Sequence, residues 1–151
     1  MKIIEIDEKE YKLEFGFEAA EYKNLVQKMF KILCGAYVVE SANNMEEPTA
    51  KDVINGTASM VGDLPEICTD AFYAGLIEHN SASKEEAKAL MREFMKKEKI
   101  SFMKLYTILK DCMEDDGFFN LSGLTDMMEE MYGTSKPKAP QDHKKKQTST
   151  K

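Results

Sequence analysis

No stretch of the 151 residues approaches the roughly 20 consecutive apolar positions that span a bilayer. The first ten residues carry Glu5, Asp7, Glu8 and Glu10, which interrupt any apolar segment of the signal-peptide kind. No membrane partner and a cytoplasmic location are therefore expected. Histidine occurs only twice, at His79 after a helix and at His143 in the tail, and no Cys, Ser or Thr can be paired with a plausible base from the sequence. Phosphate-cradling glycine patterns and the HExxH zinc motif are both missing. An enzyme and a cofactor are accordingly not expected. Cysteine is equally sparse: Cys34, Cys68 and Cys112 are odd in number, far apart and on apolar helical faces, which predicts reduced core thiols.

Acidic groups are plentiful, but their pattern is that of a solvated surface. Glu46-Glu47, Glu85-Glu86 and Glu129-Glu130 are pairs that any soluble acidic domain produces. Asp111-Cys-Met-Glu-Asp-Asp-Gly117 superficially suits a calcium loop with Gly117 at the sixth position. Cys112 would then hold the first position and Gly123 the twelfth, where a bidentate Glu is needed. Both anchoring ligands are lacking, so a helix-ending acidic turn and no metal site are expected.

Charge is distributed unevenly. From Gly133 onward six lysines face one acid, Asp142, a balance of +5; removing it from the formal −6 leaves −11 on the first 132 residues. Such a body repels nucleic acid, and the tail has neither arginine nor aromatics with which to read or stack on bases. No nucleic-acid partner is expected. The tail contains no hydrophobic residue beyond Ala139 from Thr134 on, too little burial to offset the entropy of ordering it. A domain over residues 1–132 and a disordered Lys-rich tail over 133–151 are predicted.

The hydrophobic 42% of the chain falls into clear periods. Ile4 and Ile6, a charged turn at Asp7-Glu8-Lys9-Glu10, and the strict alternation Tyr11, Leu13, Phe15 predict a β-hairpin. A lone hairpin is marginal in water, so these side chains must pack on the rest of the chain. From Phe17 onward the pattern is helical throughout. Residues 17–33 carry Tyr22, Leu25, Val26, Met29, Phe30 and Leu33 on one stripe; Gly35 lies near its end, with Ala36–Val39 able to prolong it. A polar loop over 41–48 precedes Thr49, a candidate N-cap for a helix from Ala50 to Val61 with Val53, Ile54, Ala58 and Val61 inward. Gly62-Asp63 is expected to break it, placing Pro65 in the first turn of a second helix that buries Leu64, Ile67, Cys68, Ala71, Phe72 and Leu76. Tyr73 and Ile77 widen that surface to two sides.

Ser83-Lys-Glu-Glu86 is a capping box opening a helix with Ala87, Leu90, Met91, Phe94 and Met95 at helical spacing. Ser101 caps another, bearing Phe102, Leu105, Tyr106, Leu109, Cys112 and Met113. After the turn at Asp115-Asp116-Gly117 and the pair Phe118-Phe119, a last helix ends at Gly133 and aligns Leu124, Met127, Met128 and Met131. The fold class is thus mostly α: a small N-terminal hairpin packed on a bundle of about five or six helices. Eleven methionines, seven of them in the C-terminal helices, either fill the core or provide an adaptable binding surface. For the last helix, an apolar stripe at the domain margin must fold back or meet another chain. Leu124, Met127, Met128 and Met131, with Phe118 and Phe119, are therefore the candidate partner interface.

The block Lys9-Glu-Tyr-Lys-Leu-Glu-Phe-Gly-Phe17, on a mostly helical chain of this length, resembles the tail assembly chaperones of long-tailed bacteriophages. The likeness is strongest over Met1–Tyr22 and looser to about Tyr132; where that family commonly has a tight glycine-containing turn, this chain has Asp7-Glu8-Lys9. The resemblance implies a protein that coats and solubilises a tape measure protein, helps recruit tail-tube subunits, and is absent from the finished particle. It also implies a longer form made by ribosomal frameshifting, for which the codons of Lys144-Lys145-Lys146 are the candidate slip site. A plain solubilising tail is the alternative there. Self-association is left open. Rival readings are an acidic DNA mimic and a structural subunit of a particle.

Overall fold

A computed structural model describes residues 1–41 and 47–133. The expected loop over 41–48 lies largely outside them, and the expected disordered tail from Thr134 lies wholly outside. Within the described residues the chain runs β1 (Lys2–Ile6), β2 (Lys9–Leu13), α1 (Phe17–Glu21), α2 (Lys23–Leu33), α3 (Ala36–Ser41), α4 (Ala50–Leu76), α5 (Lys84–Glu98), α6 (Phe102–Asp115), α7 (Phe118–Leu121) and α8 (Leu124–Tyr132).

The hairpin pairs Ile6 with Lys9 and Lys2 with Leu13, leaving a two-residue turn at Asp7-Glu8. Both turn residues hold left-handed backbone angles, φ 49° and 62°, as the twist of a two-residue hairpin requires. Aspartate tolerates that region; glutamate is strained there. Alternation does what it predicts. Ile4, Ile6, Leu13 and Phe15 are buried and Tyr11 is partly so, all packed on the helices. Full burial of each large side chain contributes about 1.5–3 kcal/mol, which offsets a hairpin's own marginal stability. The backbone N–H of Glu14 donates to the carbonyl of Gly75 at 2.9 Å, tying the hairpin's exit to the end of α4.

α4 is the axis of the molecule and packs against α1, α2, α3, α5, α6 and β2. Thr49 caps it in a reciprocal box with Asp52, and Ser83 with Glu86 does the same for α5. Ser101 accepts from the Lys104 amide at the start of α6. All three caps sit where the sequence places them.

Three expectations need correction. The helix expected over 17–33 is two, α1 and α2, because Tyr22 adopts an extended conformation between them. Gly62-Asp63 does not break α4, which is continuous for 27 residues, and Pro65 lies inside it. Proline removes one helical hydrogen bond, but Pro65 and Val61 are on the solvent side, where the freed carbonyl can be hydrated. Val53, Ile54, Ala58 and Val61 point outward rather than inward, with Ile54 68% exposed. The inward position is instead Gly56, where a Cβ would lie 2.6 Å from the Tyr37 carbonyl oxygen; α3 packs backbone to backbone there. The hairpin and helical bundle stand as expected, with eight helical segments among the described residues once the short pieces α1, α3 and α7 are separated.

Candidate partner-binding surface

α6 ends at Asp115, and Gly117, at φ +74°, turns the chain into α7. Asp116 in this turn is directed at the hairpin. Its carboxylate accepts the Phe15 amide at 3.0 Å and pairs with the amino group of Met1, so the acidic turn clasps both ends of the hairpin. Phe118 is fully buried and meets Phe15 edge to face at 6.1 Å and Phe119 at 5.5 Å. Leu124 is also buried. These residues anchor α7 and the first turn of α8 to the core.

Beyond that anchor α8 lies along the edge of the body. Met128 is half-buried, Met127 and Met131 are 46% and 52% exposed, and Tyr132 is 59% exposed. The six residues expected to share an interface thus separate: Phe118, Leu124 and partly Phe119 hold the element in place, while Met127 and Met131, with Met128 at the margin, are available to another chain. Leu121 and Tyr132, absent from the expectation, add to the same end of the molecule in sequence and are exposed. Tyr132 also donates its hydroxyl to the Cys34 carbonyl at 2.9 Å, fixing the end of α8 to the α2–α3 corner. Only spacing around that helix could have suggested them, and Leu121 lies in a separate segment.

The surroundings are acidic. From Asp111 through Gly133 there are seven carboxylates and no lysine or arginine, with Asp126, Glu129 and Glu130 on α8 itself. The other methionines of the helical body divide as core and surface: Met29, Met91 and Met113 are buried, and Met103 is 45% exposed.

Elsewhere the polar constellations serve packing. Asp70 on α4 is fully buried and is met by Lys28 of α2, Lys84 of α5 at 2.6 Å and the Tyr22 hydroxyl at 3.0 Å. Burial alone would raise its pKa, but these hydrogen bonds outweigh it and hold the carboxyl below the ordinary range. Beside it a cleft of about 440 Å³ lies between α4 and α5, lined by Pro65, Thr69, Lys88, Met91, Arg92 and Phe102 among others. His79 pairs with Glu14 across the hairpin exit. Burial pushes the Cys68 thiol up to about 12 and raises Cys112 as well, which leaves both protonated and unreactive. Among the described residues no group of three or more His, Cys, Asp and Glu side chains is placed to hold a metal ion. None of the helices described there is long and apolar enough to cross a membrane. Compared with known proteins, the chain matches no family model, no curated protein and no solved structure.

Proposed function

We propose that this protein is a tail assembly chaperone that covers the tape measure protein of a long-tailed phage in the host cytoplasm. The observation that carries the reading is the exposure of Met127 and Met131 on α8 beside Asp126, Glu129 and Glu130, in a stretch from Asp111 to Gly133 without lysine or arginine. Flexible thioethers adapt to irregular apolar surfaces. The acids around them favour a partner helix flanked by lysine or arginine. A tape measure is a long, helix-rich, apolar chain that is prone to aggregate before tube subunits enclose it. The Lys9–Phe17 block and the hairpin feeding a helical body support the same reading. No catalysis, cofactor, nucleic acid or membrane enters this role. A longer frameshifted product would recruit tail-tube subunits, and neither form would remain in the virion.

Co-expression with the tape measure protein tests the reading. Replacing Met127 and Met131 together by lysine should lower the affinity by more than about tenfold and leave the circular dichroism melt unchanged, because both side chains are about half exposed. Undiminished co-purification by a folded double variant would overturn it.

A further inference from the structure

The outward stripe of α4 has no partner among the described residues, although it has the pattern of a packed helix face. At about 100° per residue, Ile54, Thr57, Ala58, Val61 and Pro65 fall within one arc of about 100°. All five are exposed, while Gly56 and Leu64 on another side of the same helix are buried. Thr57, the one polar residue of the stripe, donates its hydroxyl to the Val53 carbonyl of its own helix at 2.8 Å, which leaves its methyl group to define the surface.

We infer that this stripe is the contact between two copies of the chain, paired antiparallel about a two-fold axis near Ala58. Charge selects a second copy. A body of −11 repels its like everywhere that carboxylates crowd the surface. Val53 through Gly62 is the longest run in the chain without a charged residue, so here two copies approach without opposing charges. The ends of the stripe then supply the register. Lys51 flanks it at one end, and beyond the other Glu66 keeps a side chain 67% exposed while meeting Lys28 of its own chain at 2.9 Å. Antiparallel two-fold packing sets Lys51 of each copy toward Glu66 of its mate, whereas parallel packing stacks like on like. A basic partner of the kind that suits α8 finds no carboxylate between Val53 and Gly62. The stripe from Ile54 to Pro65 is only about 17 Å long, so the dimer is weak and reversible, as small interfaces under about 1,200 Å² are.

This inference does not rest on the chaperone reading, and its first test uses the full chain by itself. Sedimentation velocity over about a hundredfold range of concentration should show a monomer–dimer equilibrium. Ile54→Glu with Val61→Glu should raise the dissociation constant by more than about tenfold, since two desolvated carboxylates would face their copies. The thermal melt should not move, because neither side chain is in the core. In a Cys34→Ser background, Ala58→Cys should oxidise readily to a linked dimer, and Ser59→Cys, exposed on another side of α4, should not. A monomer at every concentration, a dimer indifferent to the double Glu variant, or equal cross-linking at positions 58 and 59 would each overturn the pairing. So would a monomer whose double Glu variant loses only the tape measure protein, which would assign the stripe to that partner.

Discussion

Asp70 has no exposed surface, yet two ammonium groups and a phenol hold it charged. It joins α2, α4 and α5 through one carboxylate. Because its folded pKa lies below the ordinary value, the stability it confers is intact above about pH 4 and is lost as pH falls through the folded value. Asp70→Asn leaves Lys28 and Lys84 facing a neutral amide, and the cost at pH 7 should be roughly 2–4 kcal/mol. Lys84 is nearly half exposed and can turn to water, which keeps the loss toward the lower figure. Urea denaturation at pH 7 and again at pH 3 checks both parts: the gap between wild type and variant should shrink in acid. Nothing in the sequence singles out this aspartate. Tyr22 reads there as one more apolar stripe residue, and its partner is 48 positions away. Contacts of that separation are decided by how helices pack, which periodicity does not report.

Among the elements, α4 separates what local chemistry dictates from what packing overrides. Its start at Thr49 and the starts of α5 and α6 are legible because a capping side chain acts within three residues. Its continuity is not. Gly62, Asp63 and Pro65 together form a strong local stop signal, but the buried residues Leu64, Ile67, Cys68, Ala71, Phe72 and Leu76 and the seat of α3 on the other half hold the helix through it. The same packing reverses the expected inward face. An eye for apolar residues selects Val53 and Ile54, whereas the close approach of α3 selects the residue without a side chain. Gly56→Ala should therefore destabilise the protein by about 1–3 kcal/mol, against the usual gain for that change in a helix. Thermal melts should show the loss, and amide hydrogen exchange should locate it in α3 and the first half of α4.

For the molecule as a whole, one core joins the hairpin to α1, α2 and α4–α8. Phe15 is its crossing point: buried, edge to face with Phe118, and donating its own amide to Asp116. Phe15→Ala should cost about 3–5 kcal/mol, with the hairpin and α7 losing protection together in a single unfolding transition. Two midpoints, one for each, would show that they are separate units. The hairpin's part in this core is legible from the alternation at Tyr11, Leu13 and Phe15. The candidate surface is legible only in part. Helical spacing groups Leu124, Met127, Met128 and Met131, but it cannot say that Leu124 stays in the core while the later turns leave it. That depends on where Phe118 anchors the segment.

The tether from Tyr132 to the Cys34 carbonyl also makes the protein its own instrument. Of the three thiols, Cys34 alone is not buried, and the raised pKa values of Cys68 and Cys112 keep them silent toward alkylating dyes in the native state. A fluorophore attached to the wild-type chain therefore reports from a single place, the seat of α8. Its emission would follow the docking and release of that helix in real time, with no engineered labelling site.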